Sequence, residues 1–155
     1  MRLGVGDKCP DFKLKDQNGK WVRISDLIGN KILVIFFYPR NETSGCIKEV
    51  CSFRDMHEVF KDLGCEVIGI SSNTTSSHKR FAGHYDLPYT LLSDPFRIVR
   101  NKFGVKGNLF GIIPGRQTYV IDKKGIIRGT YNSISDPKGH IEHALETVKD
   151  LQKEV

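Results

Sequence analysis

A chain of 155 residues, 39% hydrophobic and with no low-complexity stretch, has the size and composition of one compact domain covering 1–155. Its net charge of +6 arises from 24 basic residues dispersed among 18 acidic ones, with only short pairs such as Lys79-Arg80, which excludes the basic helix or aromatic-basic ladder of a nucleic-acid binder. Residues 1–8 lack the apolar run of a signal peptide and no segment approaches the ~20 apolar residues of a bilayer span, so a soluble, cytoplasmic chain without membrane contact is expected.

The first strong element is the continuous apolar run at 32–38, which predicts a strand buried on both faces and ended by Pro39. A helical pattern follows over 46–63, with Ile47, Val50, Phe53, Val59 and Phe60 on one face and Gly64 as its stop. The run at 65–71 predicts a second buried strand. Strand, helix and strand then form a right-handed βαβ unit, which puts Cys46 at the carboxyl end of a central strand, the edge where open α/β sheets hold their sites. Residues 77–85 and 95–103 are predicted helices separated by an extended piece at 89–92. Residues 117–122 and 126–131 predict a hairpin in which Gly125 suits the left-handed position of a bulged turn. Asp136 and Pro137 open the final helix as cap and first-turn proline, with Ile141, Leu145, Val148 and Leu151 as its buried stripe. The expected fold class is α/β, a central mixed sheet flanked by helices.

Cys9, Cys46, Cys51 and Cys65 are too few and too unevenly placed for a secreted disulfide scaffold. A zinc site is disfavoured, because no second cysteine pair or histidine at ligand spacing completes one. His140 and His143, one helical turn apart, read as surface histidines. Asn41-Glu42-Thr43 and Asn73-Thr74-Thr75 match the glycosylation pattern by chance. Gly45-Cys46 at a helix start places a sulfur beside unpaired backbone N–H groups and the positive end of the helix dipole, where a thiolate is favoured. Cys65, at a strand start, reads instead as a small buried hydrophobe.

Five residues along a helix separate the Cα atoms of Cys46 and Cys51 by about 8–9 Å. Disulfides seldom tolerate more than about 7 Å, so these two cannot be joined while the helix is intact. Spacing alone leaves two unrelated cysteines on one helix as an open reading.

The segment from Pro39 to Cys46, with Thr43 between them, matches the P-x-x-x-T-x-x-C signature of peroxiredoxins. Together with Cys46-Ile47-Lys48-Glu49-Val50-Cys51-Ser52-Phe53-Arg54-Asp55 it resembles the bacterioferritin comigratory protein, or PrxQ, branch of that family. The likeness continues through Cys9-Pro10-Asp11-Phe12, Gly69-Ile70-Ser71-Ser72, Leu91-Leu92-Ser93-Asp94 and the run from Arg116 to Asp122. Ser44 and Ile47 depart from the branch, which usually has proline and threonine there. Ser44 is a candidate helix cap.

The resemblance implies a thioredoxin-like fold in which Cys46 is the peroxidatic cysteine and Cys51 the resolving one. It further implies that Thr43 orients the peroxide, Pro39 shapes the loop and Arg116 stabilises thiolate and developing oxyanion charge. Glu49 matches the family's acidic position, although a solvent-facing helix residue is an equal reading of it. Hydrogen peroxide or an alkyl hydroperoxide would be the substrate and thioredoxin or a similar thiol the reductant. No metal, haem or flavin is required, and the branch is often monomeric. Two rival readings are a disulfide reductase, against which the missing C-x-x-C speaks, and a non-catalytic redox-signalling module.

Overall fold

The computed structural model describes residues 2–41, 43–105, 116–133 and 136–154, and at its centre the apolar run forms strand β3. Seven strands are named in chain order: β1 (Lys13–Asp16), β2 (Trp21–Arg23), β3 (Ile32–Phe37), β4 (Cys65–Ser71), β5 (Thr90–Ser93), β6 (Gln117–Ile121) and β7 (Ile127–Asn132). The helices are α1 (Ser44–Asp55), α2 (His57–Asp62), α3 (Thr75–His84), α4 (Ile98–Phe103) and α5 (Pro137–Gln152). The strand order is β2-β1-β5-β4-β3-β6-β7, with β3 parallel to β4 and antiparallel to β6. This is the expected mixed sheet with helices on both faces.

All six residues of β3 are buried because alternate side chains enter different cores. Val34 and Phe36 meet Val50 and Phe53 of α1 and Ile141, Ala144 and Val148 of α5. Leu33, Ile35 and Phe37 meet Phe12, Ile24, Val99 and Phe103 on the other face. Phe36 stacks on Phe53 at 4.4 Å and is paired in register with Gly69. A Cβ at position 69 would lie 2.8 Å from the Phe36 ring and 2.9 Å from Leu91, so glycine there admits the ring that seats α1.

Several boundaries differ from the sequence reading. The single helix expected over 46–63 is two, broken at Met56, whose φ of −99° and ψ of 4° leave the helical region. The helix expected at 95–103 starts only at Ile98, because Arg97 takes a left-handed φ of 57°. The helix expected at 77–85 begins at Thr75, after Thr74 accepts a hydrogen bond from Ser77 N at 3.2 Å. The short strands β1 and β2 had no apolar run to announce them. Ala144 replaces the half-buried Leu145 in the buried stripe of α5, whose cap is Asp136 as expected, accepting from Gly139 N at 3.1 Å. Among the described residues, no helix is long and apolar enough to cross a membrane.

Candidate active site

The chain leaves β3 through the buried Tyr38 and reaches α1 over a segment fastened from beneath. The Tyr38 hydroxyl donates to Asn41 Oδ1 at 2.7 Å, and Asn41 N donates to Asn73 Oδ1 at 2.9 Å. Asn41 Nδ2 lies 3.1 Å from Nδ1 of the fully buried His78, whose Nε2 lies 3.0 Å from Leu92 O. Those partners assign the tautomer, with Nε2 donating to the carbonyl and Nδ1 accepting from the amide. Burial pushes His78 down to about 4, so it stays neutral. Asn41 is therefore an internal anchor, in keeping with a chance match to the glycosylation pattern.

Thr43, half-buried like Pro39, caps the helix by backbone conformation alone, with φ −84° and ψ 144°, and its hydroxyl donates to Arg40 O at 3.3 Å. Ser44 is thus not the cap suggested by its side chain; it is the exposed first residue of α1. The first helical bond runs from Ile47 N to Thr43 O at 2.9 Å, so the N–H groups of Ser44, Gly45 and Cys46 precede the repeating ladder. Cys46 stands in that first turn, fully buried, where those dipoles converge.

Arg116 returns to this turn from the start of β6. A Cβ on Gly45 would lie 2.6 Å from Arg116 Nη2 and 3.2 Å from Cζ, so the guanidinium lies directly against the first turn of α1. It is 5% exposed, and its Nε and Nη1 have no hydrogen-bond partner among the described residues. A buried fork of donors beside a buried cysteine is arranged to receive an anion. Arg100 is a second buried cation that the sequence reading missed. Burial and Arg97 pull it down to about 10, whereas Asp94 and the nearby Cys46 hold it up.

Glu49, one turn after Cys46, is fully enclosed and does not face solvent. Burial pushes its carboxyl up to about 8 against the pull of Arg116. His140 overturns its reading as a surface histidine: it is fully buried, with Nε2 3.5 Å from Glu49 Oε2. Further along α1, Cys51 is half-buried, and desolvation raises its pKa while Arg54 opposes the rise. All four cysteines are free thiols, and Cys46 and Cys51 share one unbroken helix. Burial pushes both Cys9 and Cys65 up to about 12, which leaves them as thiols and fits the packing role expected of Cys65.

The family described as AhpC/TSA matches residues 5–130. Peroxiredoxin Q, chloroplastic, of Arabidopsis thaliana is 51% identical over 148 residues, covering 96% of this chain and 68% of that protein. The protein of the same name from Triticum aestivum is 49% identical over 150 residues, covering 97% and 69%. Among solved structures, the peroxidoxin BcpB of Mycobacterium tuberculosis is similar with a TM-score of 0.89 at 36% identity, over 96% of this chain and 98% of that one. Peroxiredoxin Q of Xanthomonas campestris shares the fold with a TM-score of 0.81 at 24% identity, over 90% of each chain.

Proposed function

Because the chain belongs to the AhpC/TSA family and is a thiol-dependent peroxidase of the peroxiredoxin Q type, we propose that Cys46 attacks the peroxide and Cys51 resolves the product. The Cys46 thiolate attacks one peroxide oxygen in line, forming an S–O bond as the O–O bond breaks. Two electrons pass from sulfur to oxygen. The leaving hydroxide or alkoxide departs as water or alcohol after protonation, and Cys46 is left as a sulfenic acid. The first turns of α1 then unwind, the Cys51 thiolate displaces the sulfenic oxygen as water, and a Cys46–Cys51 disulfide forms. Thioredoxin or a similar dithiol reduces it by exchange.

The observation that carries this reading is the Arg116 guanidinium laid against the turn that holds Cys46, with two donor nitrogens unpartnered among the described residues. Those donors would hold the thiolate and the charge that develops on the peroxide oxygens. The Thr43 hydroxyl, whose hydrogen bond among the described residues is the 3.3 Å one to Arg40 O, would turn toward a bound peroxide, and Pro39 would shape the wall. Glu49, which feels the Arg116 charge, would help to orient the guanidinium. The remaining parts of the reading are a single domain over 1–155, a monomer, a cytoplasmic setting, and hydrogen peroxide or an alkyl hydroperoxide as substrate.

Arg116→Ala is expected to slow sulfenic acid formation by about 10²–10³ in single-turnover stopped flow. Gly45→Ala should slow the same step through displacement of the guanidinium by its new Cβ, while the fold is kept. An unchanged rate in Arg116→Ala would remove Arg116 from the reacting centre.

A further inference from the structure

Glu49 sits between Cys46 and Cys51 in α1, in the stretch that cannot keep its helical path when those sulfurs join. It meets His140, carried by α5, which packs along α1. The imidazole is held independently of Glu49. Its Nδ1 lies 2.8 Å from the Thr118 hydroxyl in β6, its Nε2 lies 2.6 Å from Ser133 O, and the Tyr131 ring stands against it edge to face at 4.9 Å. With Nδ1 accepting from Thr118, Nε2 carries the proton and donates it to Ser133 O, while Glu49 Oε2 lies 3.5 Å from the same nitrogen. Neither Glu49 oxygen has a hydrogen-bond partner among the described residues, so the 3.5 Å approach of the His140 ring is the polar contact that this buried carboxyl keeps on α5.

We propose that His140 is a positioning residue for disulfide closure: through Glu49 it pins the turn of α1 between Cys46 and Cys51, and release of that buried contact gates the unwinding. The inference rests on the Cys46–Cys51 pairing proposed above. It makes α5 the fixed post against which the moving helix is held. His140 governs how long the sulfenic acid stays inside the wound helix, exposed to a second peroxide, before Cys51 reaches it.

The contact carries a pH signature. The groups facing Glu49 are Arg116, His140, Tyr38 and Tyr89, and those facing His140 are Arg116, Asp136, His143 and Glu49. Glu49 holds its proton up to about 8 in the wound helix and loses it at the ordinary carboxyl value of 4.5 once released to water. The wound form therefore binds the proton more tightly, and unwinding becomes easier as pH rises between those values. Burial lowers the His140 pKa, so any charging of that ring on release would act only below its ordinary 6.5. Between pH 7 and 8 the Glu49 effect acts alone within the pair and should raise the opening equilibrium about fivefold.

Hydrogen exchange of the reduced protein tests this at amides 47–51, alongside the rate of disulfide closure after one equivalent of hydrogen peroxide. His140→Phe, which keeps a ring and loses both nitrogens, should lower protection at 47–51 roughly five- to thirtyfold and speed closure, with β3 protection unchanged. His140→Gln, which can restore a donor near the Nε2 position, should recover most of the protection. The wild type should lose about fivefold protection from pH 7 to 8 beyond the intrinsic exchange rate, and Glu49→Gln should not. Equal protection at 47–51 in wild type and His140→Phe, or a glutamine that behaves like phenylalanine, overturns the inference. If His140→Phe does not fold, Thr118→Val frees Nδ1 with the imidazole in place and should shift 47–51 the same way; no shift overturns it. Absence of a Cys46–Cys51 bridge in the oxidised wild type would instead strike the pairing itself.

Discussion

Cys46→Ser is expected to abolish peroxide reduction, lowering the second-order rate with hydrogen peroxide by more than about 10⁴, the scale on which removal of a nucleophile acts. Serine fits the same buried position at the start of α1, so the loss would be chemical. Its hydroxyl does not ionise near neutrality, and its oxygen is a far weaker nucleophile toward an O–O bond than a thiolate. No other thiol can substitute. Burial holds Cys9 and Cys65 at about 12, and Cys51 lies further along α1, away from the first turn that Arg116 covers. Thioredoxin-coupled NADPH oxidation and direct peroxide consumption should vanish together. A residual rate above a few per cent of wild type would assign the attack to a different sulfur.

Cys51→Ser is expected to separate the two halves of the cycle. One peroxide per chain should be consumed at the wild-type rate, after which thioredoxin-dependent turnover should fall to background. A sulfenic acid on Cys46 would persist and pass to sulfinic acid under excess peroxide, read as a mass gain of two oxygens. The topology of the sheet sets Cys9 and Cys65 far from Cys46. Cys65 opens β4 opposite Ile32, at the amino end of β3, whereas α1 follows the carboxyl end. A strand of this length separates the two ends by about 16 Å. Cys9 binds Gly125 O in the β6–β7 turn, and Ile121 beside that turn pairs with Leu33, so Cys9 also lies at the amino end. Sustained turnover with thioredoxin in Cys51→Ser would show that another thiol resolves the sulfenic acid.

Much of this arrangement was legible in the sequence because it is local. The apolar runs at 32–38 and 65–71 announce buried parallel strands, and the spacing of Cys46 from Cys51 shows that their bridging requires movement. What escaped was set by distant partners. His140 reads as a surface residue beside His143, and only the convergence of Thr118, Ser133 and Glu49 from three other places buries it. Glu49 could face water or protein on α1 until the position of α5 is known. Arg100 lies on a six-residue helix whose start depends on the left-handed turn at Arg97, and no residue pattern announced its burial near Cys46. Arg116 is the instructive intermediate case: family resemblance singled it out, but its proximity to the first turn of α1 emerges only from the space left by Gly45.

A bridge between residues five apart on one helix makes the loss of that helix part of the chemistry, and peptide mapping of the oxidised protein tests this most directly. After one equivalent of hydrogen peroxide and alkylation of the remaining thiols, the mapped disulfide should join Cys46 to Cys51, with Cys9 and Cys65 recovered as alkylated thiols. A bridge to Cys9 or Cys65, or stable oxidation of Cys46 without any bridge, would contradict the account.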